Sequence, residues 1–460
     1  MVFGMINEIQ RQIPVVKDVD VVVVGAGPAG VSAAIAAARE GVDVLLIERY
    51  GILGGTLTAA MVPHFDPVPL IGLKGIPREI YDRLKSEGVL IEGYNEKIEM
   101  PYTFWETGSA FDPEMFKLIL THILEEANVR LLLHSLVAGS LVEDGNVFGV
   151  LVENKSGRQA IKAKVVIDAS GDGDVAALSG AQFEKGFMAL TPCFRIGNVD
   201  LEKVFEYFKN NPEEFGTHPR LGKYMQDYNR SIIIAGFHKL VKEAIEKGDL
   251  PPSYIRETGF NFHLMPRKGE VCVNTLSIFN VDALNAFELT EAEVNGRKLI
   301  RAVFNFARKY VPGFEKSYLI DSGFQIGVRE TRRIIGDYVL NLEDIQKGRR
   351  FDDVVVRAKW SHTDIHDPKS GKWSYSLIEG PYDIPYGCLL PKNIENLLLS
   401  GRCISTTHEA LGSVRIAPVC MATGQAAGIA SSIAVKENIS PRKILIKKLH
   451  ATLKRQGVEL

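Results

Sequence analysis

The sequence predicts an α/β chain: a parallel sheet with an inserted antiparallel layer, and a second mixed α/β domain placed before the chain returns to the first. Three observations predict it. Four valines at 21–24 run into Gly25, Gly27 and Gly30, spaced G-x-G-x-x-G ahead of a helical pattern. Strand periodicity broken by hairpin signals fills 129–168. A short apolar strand pattern at 396–400 is followed by a helix of small residues at 419–434, which closes the chain on the same architecture.

The glycine stretch organises the rest. Four β-branched residues in a row suit a strand buried on both faces. Gly25 permits a tight turn, Gly27 lets the backbone approach a pyrophosphate, and Gly30 lets the helix lie close to the strand, with Pro28 and Ala29 between them. A helix N-terminus carries about half a positive charge and several unpaired N–H groups, so it holds a pyrophosphate without a lysine. Gly41 ends the helix, 42–47 forms the second strand, and Glu48 then stands where a ribose hydroxyl pair needs an acceptor. A packing turn alone would explain the glycines but not this register.

Bulk properties narrow the function. At 460 residues the chain suggests two or three domains, read here as 1–189, 190–384 and a return at 385–460. A net charge of −2 offers no general attraction for nucleic acid or anionic lipid. No apolar run of membrane length and no signal-peptide pattern are expected, so a cytoplasmic location is expected. The cysteines at 193, 272, 388, 403 and 420 give no local redox, zinc or iron–sulfur spacing, and no metal is expected. Residues 1–18 read as a polar lead-in, with a short helix expected on the surface.

After Glu48, Arg49 leads to Gly54-Gly55-Thr56, a glycine-dense loop opening an apolar helical stretch at 57–61. Helices are expected at 77–88 and 112–128, strands at 129–133, 136–142 and 147–153, and the last parallel strand at 163–168. That strand ends in Ala169-Ser170-Gly171-Asp172-Gly173-Asp174, where the acids either cap a helix from Val175 or face a ligand. Between 190 and 385, helices at 201–209 and 296–310 alternate with a hairpin at 260–265 and 271–279, and no second G-x-G-x-x-G occurs. Arg329, Glu330, Arg332 and Arg333 read either as a solvated helix face or as a clamp for a carboxylate. His362-x-Asp364-x-His366 suits acid–base groups or loop hydrogen bonds better than metal. His64 is open to three readings: a covalent anchor, a pocket group or an ordinary satisfied histidine.

The glycine stretch with Glu48, the Gly54-Gly55-Thr56 loop, the 168–174 turn, Gly327–Arg333, 364–368, and 380–434 with Gly401-Arg402 and Arg415 together resemble the FAD-dependent oxidoreductase family. This is the glutathione-reductase-type fold, related to fumarate-reductase-like flavoproteins. Residues 190–320 match nothing in that pattern. The resemblance implies a Rossmann-type FAD-binding domain and a mixed α/β substrate domain. It implies that Arg49, Gly54, Gly55, Thr56, Ala169, Gly171, Asp172, Gly401 and Arg402 join the cradle in binding FAD, with backbone near Val137 at the adenine. The segment around His64 departs from the family's histidine-tether motif, so FAD is expected to be non-covalent. The reaction implied is hydride transfer between flavin N5 and a small, anionic substrate. Arg329 and Arg415 would hold the anion, with His64, His366 or His408 moving a proton. Rival readings are a tRNA-modifying flavoprotein, from the basic residues Lys443, Lys447, Lys448, Lys454 and Arg455, and a flavin subunit relaying electrons to a partner. A membrane partner is not expected, nucleic acid is disfavoured, and a homo-oligomer is compatible with the sequence.

Overall fold

The computed structural model describes residues 12–65, 72–93, 108–214, 230–252, 259–360, 362–367 and 373–460. Residues 1–11 and the last position of the 364–368 motif lie outside it. Strand β1 (Val15–Val24) is central: Val21, Val22 and Val23 are wholly buried, as a run of β-branched residues between parallel neighbours demands. Val15–Asp18 extend β1 rather than forming a surface helix, because Val15, Lys17 and Asp18 pair with Ala160, Ile161 and Lys162.

Helix α1 (Pro28–Arg39) leads to β2 (Val44–Ile47), parallel to β1 with Val21 opposite Val44. The stretch expected to be helical at 57–61 is one 3-10 turn, Gly55–Leu57, after which Met61 takes a left-handed backbone (φ 53°) that breaks the helical path. Helix α2 (Pro113–Glu126) starts at Asp112, whose carboxylate accepts from the amides of Glu114 and Met115. Strands β3 (Arg130–Leu132), β4 (Leu136–Glu143), β5 (Asn146–Asn154) and β6 (Gly157–Asp168) follow. The order is β3-β2-β1-β6-β5-β4, with β5 and β4 forming the antiparallel layer.

The middle of the chain builds an antiparallel sheet from β7 (Phe194–Gly197), β8 (Ile233–Gly236), β9 (Phe260–Leu264), β10 (Val271–Val273) and β11 (Tyr318–Ser322), ordered β8-β9-β10-β7-β11. Its own core gathers Phe194, Phe237, Phe260, Phe262, Phe306 and Phe314. Helix α3 (Ala286–Tyr310) covers it, beginning before the expected 296 because Asn285 caps the amides of Phe287 and Glu288. Strand β12 (His362–His366) pairs with β13 (Trp373–Leu377), so the histidine motif lies on a strand, not a loop.

The return strand β14 (Leu397–Leu399) runs parallel to β6, with Leu397 opposite Val166 and Leu399 opposite Asp168. Strand β6 therefore has β1 along one edge and divides the other: its first half takes β5, its last residues take β14. Two helices close the chain's return, α4 (His408–Val414) and α5 (Ala417–Glu437). Helix α5 corrects the expectation that no apolar run reaches membrane length: by length and composition it is able to span a bilayer, yet 94% of that window is buried inside the fold. Its glycines press on α1, since a Cβ on Gly424 would lie 2.0 Å from the Ala29 carbonyl oxygen and one on Gly428 2.2 Å from that of Ala33.

Candidate functional site

The cradle is closed on three sides by backbone. Gly25 turns at φ +96°, and a Cβ there would lie 2.6 Å from the carbonyl oxygen of Ala169. A Cβ on Gly30 would lie 1.8 Å from the Gly25 carbonyl oxygen, which is the close helix–strand approach expected of this glycine. Gly54 (φ +102°) donates its amide to Ala26 at 2.8 Å, and a Cβ on Gly55 would sit 2.7 Å from the Gly27 Cα. The two glycine loops thus leave room for backbone-bound phosphate and for no side chain. Thr56 starts the short turn beside them. The buried Glu48 carboxylate accepts from the amides of Ala26 (2.7 Å) and Tyr50 (3.0 Å), and Ser135 donates to the Glu48 carbonyl at 2.9 Å, bringing the start of β4 and Val137 beside it.

Arg49 is exposed, stacks its guanidinium 4.8 Å from the Tyr50 ring centre, and donates to Gln325 at 3.2 Å. The Tyr50 hydroxyl donates to the same Gln325 oxygen, and the Phe324 ring meets Tyr50 edge-on at 4.8 Å. Gln325 stands two residues before Gly327. Here it clasps the segment after β2 to the middle of the chain.

At the carboxyl end of β6 the acids take separate roles, and Asp174 accepts from Arg332 at 2.8 Å. Asp168 is buried and accepts from Ser170 (hydroxyl, 2.6 Å) and from the Ala176 amide at 2.9 Å, a capping role; burial raises its pKa to about 6. Asp172 accepts from the Thr331 hydroxyl (2.8 Å) and from Arg402 (3.0 Å). Burial pushes its pKa up, but the charge of Arg402 and the Thr331 bond outweigh that, so it lies below the ordinary carboxyl value. Gly171 (φ +81°) keeps the space that Arg402 occupies, since a Cβ there would be 2.7 Å from Nη2. Gly401 (φ +77°) donates its amide to Thr423 at 3.1 Å.

A charged box lies on the other side. The 329–333 stretch is extended, ending in the strand Arg332–Ile334, and is no solvated helix face: the Glu330 side chain is fully buried and that of Arg333 is 6% exposed. Glu330 accepts from Arg333 and from His408 Nδ1 (2.8 Å), while His408 Nε2 faces the His366 carbonyl at 2.9 Å. With acceptors at both nitrogens, the His408 pKa is raised, chiefly by the Glu330 bond. Alternate residues of β12 share a face, which brings Asp364 to His366 Nε2 at 3.1 Å and to Arg415. His366 Nδ1 accepts from the Ala189 amide at 3.2 Å, and burial lowers the pKa of this ring to about 4. Burial pushes the Asp364 carboxyl up, but Arg415, His366 and Arg329 together hold it well below the usual range. Arg329 donates to the Ala189 carbonyl at 2.6 Å and to Thr191. His64 stands apart from the box: its ring stacks on His263, centroids 4.3 Å apart, and burial with the charge of Arg329 lowers its pKa to about 4. Among the described residues no cluster of three or more histidine, cysteine or acidic groups is arranged to hold a metal. All five cysteines are buried free thiols.

The family model described as FAD dependent oxidoreductase matches residues 20–453. The chain belongs to the FAD-dependent oxidoreductase family. It is therefore an enzyme whose cofactor is FAD. Digeranylgeranylglycerophospholipid reductase of Methanocaldococcus jannaschii is 29% identical over 198 residues, which are 42% of this chain and 49% of that protein. Digeranylgeranylglycerophospholipid reductase 2 of Methanopyrus kandleri is 34% identical over 155 residues, 33% of this chain and 37% of that protein. The matched stretches thus span half or less of these relatives. A solved geranylgeranyl bacteriochlorophyll reductase-like protein of Thermoplasma acidophilum aligns over 96% of this chain and 84% of its own, at 15% identity and a TM-score of 0.44.

The residues present fit FAD. Besides the glycine cradle, Arg402 Nη1 is a buried donor with no hydrogen-bond partner among the described residues. A buried donor left so costs about 1–3 kcal/mol, which an oxygen-rich ligand would recover. Sequence reasoning missed Asp364 as the carboxylate partner of Arg415, the fully buried Glu330, and His263; only the period-two spacing of 362, 364 and 366 signalled the first.

Proposed function

We propose that the enzyme transfers a hydride between non-covalently bound FAD and a small organic anion. One observation carries this reading: the half-buried guanidiniums of Arg329 and Arg415 both act on the Asp364 carboxylate, and Arg415 Nε has no hydrogen-bond partner among the described residues. An anionic substrate at this place would satisfy that donor. FAD, when bound, supplies the two-electron chemistry. Gly25, Gly27, Gly30, Gly54 and Gly55 would hold its pyrophosphate, Glu48 a ribose and Arg402 an oxygen near Gly171.

Arg415 and Arg329 orient the anion in this reading. His366 and His408 spend both ring nitrogens on protein groups, so they position Asp364 and Glu330. His64 is left as the group that takes or gives a proton at the substrate. The tRNA reading gains no support from the basic C-terminus, where Lys448 pairs with Glu437 and Arg455 with Glu40.

Two measurements test the proposal. Acid precipitation should release the flavin colour to the supernatant; colour kept in the pellet would instead mean a covalent link. Arg329→Ala should slow anaerobic bleaching by small acids about 100-fold while FAD content stays at one per chain. Parallel loss of FAD would move Arg329 from the substrate to the cofactor.

A further inference from the structure

Two imidazoles meet where the first glycine loops face the middle sheet. His64 lies on the short strand His64–Phe65, with Ala110 opposite it, and His263 lies within β9, opposite Ile233 on one side and Cys272 on the other. The rings are nearly parallel, 20° apart, with centroids at 4.3 Å. His263 is only 4% exposed. Among the described residues neither ring makes a hydrogen bond, in contrast to His366 and His408.

Along β9 His263 shares its face with Asn261, while Phe260, Phe262 and Leu264 point into the aromatic core on the other. Packing alone would be served better by phenylalanine. Burial holds both rings below the ordinary histidine pKa, with the charge of Arg329 acting further on His64 and that of His64 on His263. A neutral imidazole offers one donor and one acceptor nitrogen, which matches a hydroxyl, itself both donor and acceptor.

We propose that His263 is a second substrate-contacting residue and that the substrate is a small 2-hydroxy acid, its carboxylate held by Arg329 and Arg415 and its hydroxyl by the His64–His263 pair. This rests on the anionic reading above. In the oxidative direction the hydroxyl proton passes to an imidazole nitrogen and the hydrogen on the same carbon leaves with its electron pair to oxidised FAD. The carbon–oxygen single bond becomes the carbonyl of a 2-oxo acid, and the cofactor is left reduced. The middle sheet, which no motif explains, thereby gains its role: it contributes the wall that recognises the oxidisable group.

The test uses three pairs of acids that differ by one hydroxyl: glycolate and acetate, lactate and propionate, malate and succinate. Their affinities for the FAD-loaded full chain are read anaerobically from the perturbation of the flavin absorption in the first milliseconds. The wild type should bind the hydroxy member of at least one pair about tenfold or more tightly than its partner. His263→Phe keeps a stacked ring and removes both nitrogens; it should bring the two members within about twofold while leaving FAD content and the deoxy acid's affinity unchanged. His263→Asn, which restores a hydrogen-bonding group, should recover part of the preference and stands in should the Phe variant lose its cofactor. A full hydroxyl preference in the Phe variant, or acids bound without any preference by the wild type, would overturn this inference alone. Absence of any spectral response to all six acids would overturn the anionic reading and this one with it.

Discussion

The glycine cradle and the charged box differ in the material from which they are made. In the first, recognition is by backbone: Gly25, Gly30, Gly54 and Gly55 leave no space for a Cβ, and Gly27 faces the Gly55 Cα, 3.8 Å from where its own Cβ would lie. In the second it is by side chains, with Arg329, Glu330, Asp364, His366, His408 and Arg415 arriving from separate segments and satisfying one another. The cradle has one geometry that works, so it tolerates no substitution; the box is a balance of charges, so each change should have a graded effect.

Substitutions that fill the cradle should show the largest consequence. Gly30→Val would force atoms to within 1.8 Å of the Gly25 carbonyl oxygen, and Gly424→Val within 2.0 Å of that of Ala29. Both should yield colourless protein destabilised by about 4 kcal/mol or more, measured by absorbance and urea unfolding, although Gly424 presses on helix α1 and not on the phosphate loop. A yellow, stable Gly424→Val protein would show that the contact between the two helices is more forgiving than the cradle itself.

Within the box, Glu330→Gln comes next. It strips the carboxylate from between Arg333 and His408 and should destabilise by about 3 kcal/mol, because His408 loses its counter-charge and Arg333 keeps only the exposed Glu184. FAD loading at saturating cofactor should survive, which separates the box from the cradle.

The His408 ring offers a milder test by pH. Its pKa is raised above the ordinary 6.5 by Glu330, so its contribution to stability is complete below about pH 6.5 and is lost as pH rises through the raised value. The melting-temperature difference between wild type and His408→Gln should therefore be largest in mild acid and shrink toward alkaline pH. A difference that grows with pH would mean that the ring is neutral in the fold.

The smallest effect belongs to the clasp between the two regions. Gln325→Ala removes the acceptor shared by Tyr50 and Arg49. At about 0.5–1.5 kcal/mol per hydrogen bond, FAD release should quicken severalfold with an unchanged visible spectrum. No change in the release rate would confine the clasp to packing.

The same contrast explains what was legible in the sequence. The strand–glycine–helix unit, the Gly54-Gly55 loop, the antiparallel insertion and the returning strand were readable because each is a local pattern set by hydrophobic period and by glycine. The box was not. Glu330 and Arg333 sit three apart, a spacing that suits a helix face, yet their segment is extended and the pair is closed by His408 from α4. The 362–366 stretch alternates as a strand should, but with polar residues on the alternating positions, so a test based on apolar period passes over it. His263 is hidden for a related reason: within Phe260–Leu264 it reads as one more core position. Helix α3 was read short because its first turns carry the 89% exposed Phe287, which blurs the apolar stripe.

Helix α5 sets an order of events during synthesis. Helix α1 leaves the ribosome long before the glycines that complete its contact, Gly424 and Gly428, and β6 long before its parallel neighbour β14. The nascent chain must therefore carry an unmatched alanine face and an open sheet edge until those segments emerge, the condition in which strand edges and apolar faces associate wrongly. The middle sheet, whose strands lie between 194 and 322 and share a separate aromatic core, has all its partners earlier. Pulse-labelled chains stalled before residue 390 should protect that sheet from protease while the nucleotide-binding half remains cleavable, and release of the final segment should convert the latter in one step.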